Sequence, residues 1–390
     1  MANISALTTY FEQTNTGNSR WWTWLCGFWF AVTFFIYAQI IIMLVMGIAI
    51  TLTGQSDLLN TVFTSQDQQS INSSLLLIGL LPLFPILFWM LRGEFKSPAV
   101  KKILIGISAL IMIVTTAIFI YTMSKQTGNN AELTSALIAA GPMFYGFILA
   151  TFPPLIIGFW LVQKFIHSRT FLSLLTAAKK FRWKRLFFTM GVFWIISGIL
   201  AYLGHVTGLS PTEYVFNPNK FWGYAFVTLL FIPLQSATEE IALRGYLNQG
   251  LGHFIKYPLI VFFITSAAFA ALHLSNPEVT EGGKDTHVLI AISGYFIFGM
   301  FACLLTWLDG GLESAIGMHA ANNMFAATIV GYENSALPTP TVFRTGQNAS
   351  YDSLFVLVML ALLFAVLYFT RQPIEQADNE YNIFDLDAEK

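Results

Sequence analysis

The chain has 390 residues, 55% hydrophobic and only 11% charged, with a net charge of −1. Soluble domains carry about 25% charged residues, so the composition excludes an ordinary soluble globular protein. The near-neutral balance gives no electrostatic footprint for a nucleic-acid partner, and the two cysteines, Cys26 and Cys303, lie in apolar runs and imply no disulfide framework.

In chain order, the first 21 residues are polar, and the apolar run after them is too long for the core of a cleavable signal. It reads as an uncleaved anchor. A spanning helix needs ~20 mostly apolar residues. Ten segments qualify: 22–50, 74–92, 103–123, 135–165, 186–205, 222–250, 257–275, 287–308, 312–332 and 352–371. The expected fold is an all-α, polytopic transmembrane helix bundle of about ten spans. Segments 135–165 and 222–250 are longer than a bilayer is thick and must tilt, bend or extend into water. Pro153-Pro154 and Pro233 are the expected bend points. The chain divides into an N-terminal region of about four helices with a basic loop (1–184), a polar-motif core (185–332), a last loop and span (333–371) and an acidic tail (372–390) expected to be solvated and disordered.

Orientation follows from Lys and Arg in the loops. With the N-terminus in the cytoplasm and strict alternation, sixteen of the basic residues fall on the inner side. Four, Lys125, Lys220, Lys284 and Arg344, fall outside. Both termini are therefore expected in the cytoplasm, with the chain in the cytoplasmic membrane of a bacterium. The stretch Ala178–Arg185 interleaves basic and aromatic residues and reads as an inner loop with Trp183 and Phe181 at the lipid headgroups. No internal repeat is visible, which counts against a transporter built from inverted halves.

Chemistry-bearing residues interrupt three of the apolar segments. Thr238-Glu239-Glu240-Ile241-Ala242-Leu243-Arg244 places three ionisable groups among Phe, Leu, Val and Ile. Each such group costs ~2.5–3.5 kcal/mol at the centre of a membrane helix on insertion scales. Glu240 and Arg244 are four apart and share a helix face, so they read as an ion pair. Glu239 is rotated ~100° away and reads as the carboxylate that faces a cavity. Phe269 and His273 are four apart on the next segment, so the ring packs beside the imidazole. His319 and Asn323 are four apart on another. Alone, each pair has a bland reading: a charge cluster at a helix end, an interfacial histidine, a chance spacing. Together they fit a buried hydrolytic site, with a carboxylate to activate water and imidazole or carboxamide N–H groups to hold an oxyanion. Two His and one Glu are also a catalytic zinc ligand set, and the residues alone leave both mechanisms open. Against zinc stands the poor ligand quality of Asn323. Near His319 the sequence offers no carboxylate to hold its ring except Glu313, six residues away. His167, His205, His253 and His287 fall in or near expected loops without such partners.

In this order and spacing, Glu239-Glu240-x3-Arg244, Phe269-x3-His273 and His319-x3-Asn323 resemble the CAAX-processing and bacteriocin-processing (CPBP) family of intramembrane proteases. That family includes type II CAAX prenyl endopeptidases and abortive-infection proteins. The resemblance covers 185–332. It implies a membrane endopeptidase acting on a membrane-associated or lipidated peptide or protein. Glu239 would activate water with help from His273, and His319 with Asn323 would form the oxyanion site. No metal is favoured; a zinc version would take Glu239, His273 and His319 as ligands. Other readings are a proton-coupled transporter and a non-catalytic scaffold or immunity protein. Simple alternation also sets His273 near the outer end of its span and His319 near the inner end of its own, so convergence requires tilted helices or helices that begin deep in the bilayer.

Overall fold

The computed structural model of the chain describes residues 10–55, 57–58, scattered positions between 99 and 115, 129–280, 288–332, 335–346, 349–371 and 374. The expected span 74–92 lies outside the described residues, as do most of 103–123 and nearly all of the tail 372–390.

The protein is an all-α membrane bundle. Its helices are α1 (Trp21–Leu52), α2 (Asn129–Ala140), α3 (Pro142–Ala150), α4 (Pro153–Val162), α5 (Trp183–Val206), α6 (Pro218–Glu240), α7 (Asn248–Phe254), α8 (Pro258–Leu272), α9 (Val288–Asp309), α10 (Glu313–Thr328) and α11 (Ala349–Phe369). Among the described residues six helical stretches are long and apolar enough to cross a membrane; α8 is apolar but has 15 residues. α10 has 16 residues and is buried along most of its length.

The long segments break where local chemistry dictates. Gly141, at φ 140°, separates α2 from α3, a backbone state that only glycine adopts without strain. Pro153 and Pro154 open α4, where a missing N–H costs nothing. Pro233, in contrast, sits inside α6, which continues through it and then widens into a π-helical turn, Ile241–Leu247. Asn217 caps α6 by accepting from the Asn219 amide at 3.1 Å, with Pro218 as first helical residue.

Two ends of the bundle are defined by contacts. At one, Arg182 donates to both Glu313 oxygens (3.0 and 2.8 Å) and to the Asp309 carbonyl (2.7 Å). Arg185 grips both Asp309 oxygens (2.9 and 3.0 Å) and the Leu367 carbonyl (2.9 Å). The start of α5, the end of α9, the start of α10 and the end of α11 therefore meet there. Burial opposes the charge on Arg182, but the hydrogen bond and charge of Glu313, with the charge of Asp309, hold its pKa above the ordinary value. These two arginines of the basic loop are thus helix clamps, while Lys179 and Lys180 remain exposed and Trp183 is open to its surroundings.

The segment before α1 docks at the same end. The Tyr10 hydroxyl donates to the Leu174 carbonyl (2.7 Å), and Thr14 bonds His253 (3.2 Å). His167, expected in a loop without partners, is fully buried. Its ring joins the Asn18 carbonyl (2.7 Å) to the Tyr246 hydroxyl (3.0 Å). The cause is a π-helical turn, Gln163–His167, that carries the ring inward under Trp24. At the other end a three-stranded sheet, β1 (Thr212–Tyr214), β2 (Val330–Tyr332) and β3 (Phe343–Thr345), has the order β1-β3-β2. β3 pairs antiparallel with β1 (Thr212 opposite Thr345) and parallel with β2 (Val330 opposite Phe343).

Buried apolar residues unite distant parts of the chain. One cluster joins Tyr10, Trp24 and Phe159 to Ile241 and Leu312; another surrounds the polar motifs with Phe193, Leu243, Phe269, Phe298 and Met318.

Candidate active site

Glu239 and Glu240 are the last residues of α6, immediately before the π-helical turn. Being adjacent, they leave the helix in different directions. Glu240 is fully buried, and its Oε1 accepts from Arg244 Nη1 at 3.1 Å and from His319 Nδ1 at 2.7 Å. Arg244 is also fully buried. Its guanidinium lies over the Phe269 ring at 4.5 Å, a cation–π contact in a dry setting. Room for it comes from Gly299 on α9, where an added Cβ would stand 3.2 Å from Arg244 Nη2 and 3.0 Å from Ser266 Cβ. Arg244 is therefore a residue of the bundle interior.

Glu239 keeps 18% of its side chain exposed. Its Oε2 lies 3.8 Å from His319 Nε2, and its Oε1 accepts from Gln235 Nε2 at 2.5 Å. His319 thus has one nitrogen tied to Glu240 and the other turned to Glu239. Phe269 and Phe298 hold the imidazole edge-on, with ring centroids 5.8 and 5.2 Å away. Asn323, one turn further along α10, donates from Nδ2 to Gln235 Oε1 (3.0 Å) and accepts from Asn322 Nδ2 (3.0 Å).

His273 caps the C-terminus of α8. Its Nδ1 is bonded to the Phe269 carbonyl (2.8 Å), and its ring stacks on Tyr295 at 4.2 Å. Glu239, His273, His319 and Asn323 all line one cavity of about 1980 Å³, together with Gln235 and Tyr295. Phe269 packs against both histidines, at 4.4 Å from His273 and 5.8 Å from His319. The mismatch in depth expected from simple alternation thus shrinks to the scale of the one side chain between them.

Gln235 escaped the sequence reading. A signal for it existed: it precedes Glu239 by four, the same spacing that singled out Glu240 with Arg244. Tyr295 and Phe298, which pack the histidines from α9, carry no such signal. One expectation is overturned. His319 has a carboxylate holding its ring, Glu240, which approaches from another helix and was assigned to Arg244 alone; one oxygen serves both. The lack of such a partner is therefore no argument against zinc. The donor geometry bears on zinc separately. Among the described residues no group of three or more His, Cys, Asp or Glu side chains is placed to hold a metal ion, so Glu239, His273 and His319 do not form a ready ligand set.

Residues 218–325 match the family of type II CAAX prenyl endopeptidase Rce1-like proteins. The chain is 29% identical over 212 residues to uncharacterized protein YyaK of Bacillus subtilis (strain 168), a match covering 53% of this chain and 69% of that protein. No solved structure matches. The matched segment runs from the start of α6 to beyond Asn323 and so contains all three polar motifs. Over residues 218–325 the chain is thus similar to the Rce1-like family, and its motifs resemble the CPBP family.

Proposed function

We propose that this protein is an intramembrane endopeptidase that hydrolyses a peptide bond by a glutamate-activated water, without a metal. The Rce1-like family is a protease family, which supports the reaction class. The observation that carries the mechanism is the division between the glutamates. Glu240 is spent on Arg244 and His319, while Glu239, whose side chain lines the cavity, keeps one oxygen, Oε2, with no hydrogen-bond partner.

In the proposed reaction Glu239 takes a proton from water as the oxygen attacks the scissile carbonyl carbon. The carbonyl oxygen gains negative charge, which the second N–H of Asn323 stabilises together with Nε2–H of His319 in its imidazolium form, since Nδ1–H is held by Glu240. His273, held at the cavity wall by the bond from its ring to the Phe269 carbonyl, assists the water. Collapse of the tetrahedral intermediate breaks the C–N bond, and the proton on Glu239 passes to the leaving amine. Glu240 fixes the His319 ring and neutralises Arg244, so it acts through its neighbours. The apolar walls of the cavity, Phe193, Leu243 and Phe298 among them, suit a substrate that is membrane-associated or lipidated.

The test is Glu239→Gln, which keeps size and can still accept from Gln235 but cannot take a proton. Purified variant and wild type are incubated with a membrane-anchored or prenylated peptide. The variant should lose proteolysis while melting like the wild type. Retained cleavage by a folded Glu239→Gln protein would remove Glu239 from the mechanism.

A further inference from the structure

We infer that Gln235 is a positioning residue that couples the proposed base, Glu239, to the proposed oxyanion amide, Asn323. This rests on the functional reading above. Its structural basis is a run of three amides whose hydrogen bonds all point one way. Asn322 Nδ2 donates to Asn323 Oδ1 at 3.0 Å. Asn323 Nδ2 donates to Gln235 Oε1 at 3.0 Å. Gln235 Nε2 donates to Glu239 Oε1 at 2.5 Å. Ser236 Oγ also bonds Gln235 Oε1 at 3.2 Å, and because an ionised carboxylate only accepts, the end of this amide that faces Glu239 is its nitrogen.

Each amide donates toward the carboxylate, and bonds aligned in this way polarise one another in a low-dielectric setting. The last bond, to an ionised acceptor, is of the strong charge-assisted kind. The geometry has two effects. It pins Oε1 of Glu239, which leaves Oε2 directed to His319 Nε2 at 3.8 Å. It also uses one N–H of Asn323, so the carboxamide plane is fixed and only its second N–H is left for a substrate oxygen. Gln235 is itself buried, with 7% exposure, and lies on the same helix one turn before Glu239, so its reach is set by the backbone of α6.

The experiment compares Gln235→Met and Gln235→Glu with wild type in detergent micelles or vesicles. Methionine matches the length and removes both hydrogen bonds. Glutamate keeps an acceptor for Asn323 but replaces the N–H donor by a carboxyl that shares a proton with Glu239. Both variants should melt within a few degrees of wild type, keep KM within about twofold and lose kcat by about 10- to 100-fold, the scale of a misplaced reacting group. The loss in Gln235→Met should be non-additive with that in Asn323→Ala, since the two share one bond. A kcat within twofold of wild type in either variant, or a loss confined to KM, would overturn the inference. A second readout does not need activity. The infrared carboxylate stretch of Glu239, assigned as the band that disappears in Glu239→Gln, should shift in both Gln235 variants, because each removes the N–H donor to Oε1. If wild type shows no proteolysis, the functional reading fails alone, and an unshifted band would still sink the role of Gln235.

Discussion

Replacing Glu240 by glutamine tests the electrostatic design of the site most directly. The carboxylate is fully buried and supplies the acceptor for both Arg244 (3.1 Å) and His319 (2.7 Å). The amide oxygen of glutamine can accept the same two bonds, so the His319 ring should keep its orientation. The charge, however, is lost. Arg244 is then a fully buried cation whose Nε and Nη2 have no hydrogen-bond partner, and the new Nε2 donor takes the place of Glu240 Oε2, an atom that already lacks a partner. Breaking one side of a buried pair costs about 3–5 kcal/mol, a large share of a typical total of ~5–15 kcal/mol. The midpoint of thermal unfolding in mild detergent should fall by on the order of 10 °C. Residual activity per folded molecule should survive, unlike in Glu239→Gln. Adding Arg244→Met should recover much of the stability, because the unpaired guanidinium is what makes the single change costly. A Glu240→Gln protein that melts like wild type, or a double variant no better than the single one, would refute this reasoning.

Exhaustive chelation should leave activity intact and elemental analysis should find far less than one metal per chain; one equivalent of zinc, with activity lost on removal and restored on return, would overturn the metal-free mechanism. Gly27→Ala should destabilise by about 1–3 kcal/mol, since a Cβ there meets the Tyr246 hydroxyl at 2.2 Å and Val162 Cγ1 at 2.7 Å. Adding Tyr246→Phe should relieve part of that loss, read as a partial recovery of the unfolding midpoint. Reporter fusions after residues 100, 175 and 385 should all report cytoplasm, and a periplasmic signal at 175 would contradict the proposed orientation.

Much of this was legible because membrane insertion penalises polar groups. The apolar runs around α1, α5, α9 and α11 announce themselves by length, and Glu239, Glu240, Arg244 and His319 by their intrusion into such runs. Spacing within one helix resolved the Glu240–Arg244 pair, since i and i+4 side chains meet whatever else the fold does. What joins different helices was not legible. The bond from His319 to Glu240 depends on how α10 crosses α6, and nothing in either segment encodes that crossing. His167 shows the same limit: its burial depends on a turn widening by one residue and on a strand of chain from before α1 closing over it. Gln235 is the intermediate case, readable by spacing yet overlooked because a neutral amide does not advertise itself as a charge does.

The Glu240–Arg244 pair also bears on how the protein is made. Its partners are four residues apart and emerge from the ribosome almost together, whereas His319 follows Glu240 by 79 residues. At ~5–20 residues per second that is a wait of about 4 to 16 seconds. During this interval the segment must already be partitioning into the bilayer. A carboxylate and a guanidinium that neutralise each other within one turn let it enter without the third member. The candidate site is then completed only when α10 arrives, and the Arg185 clamp closes later still, once Leu367 has been added to the chain. A chain built in this order has no assembled candidate site while its own unfolded spans lie within reach.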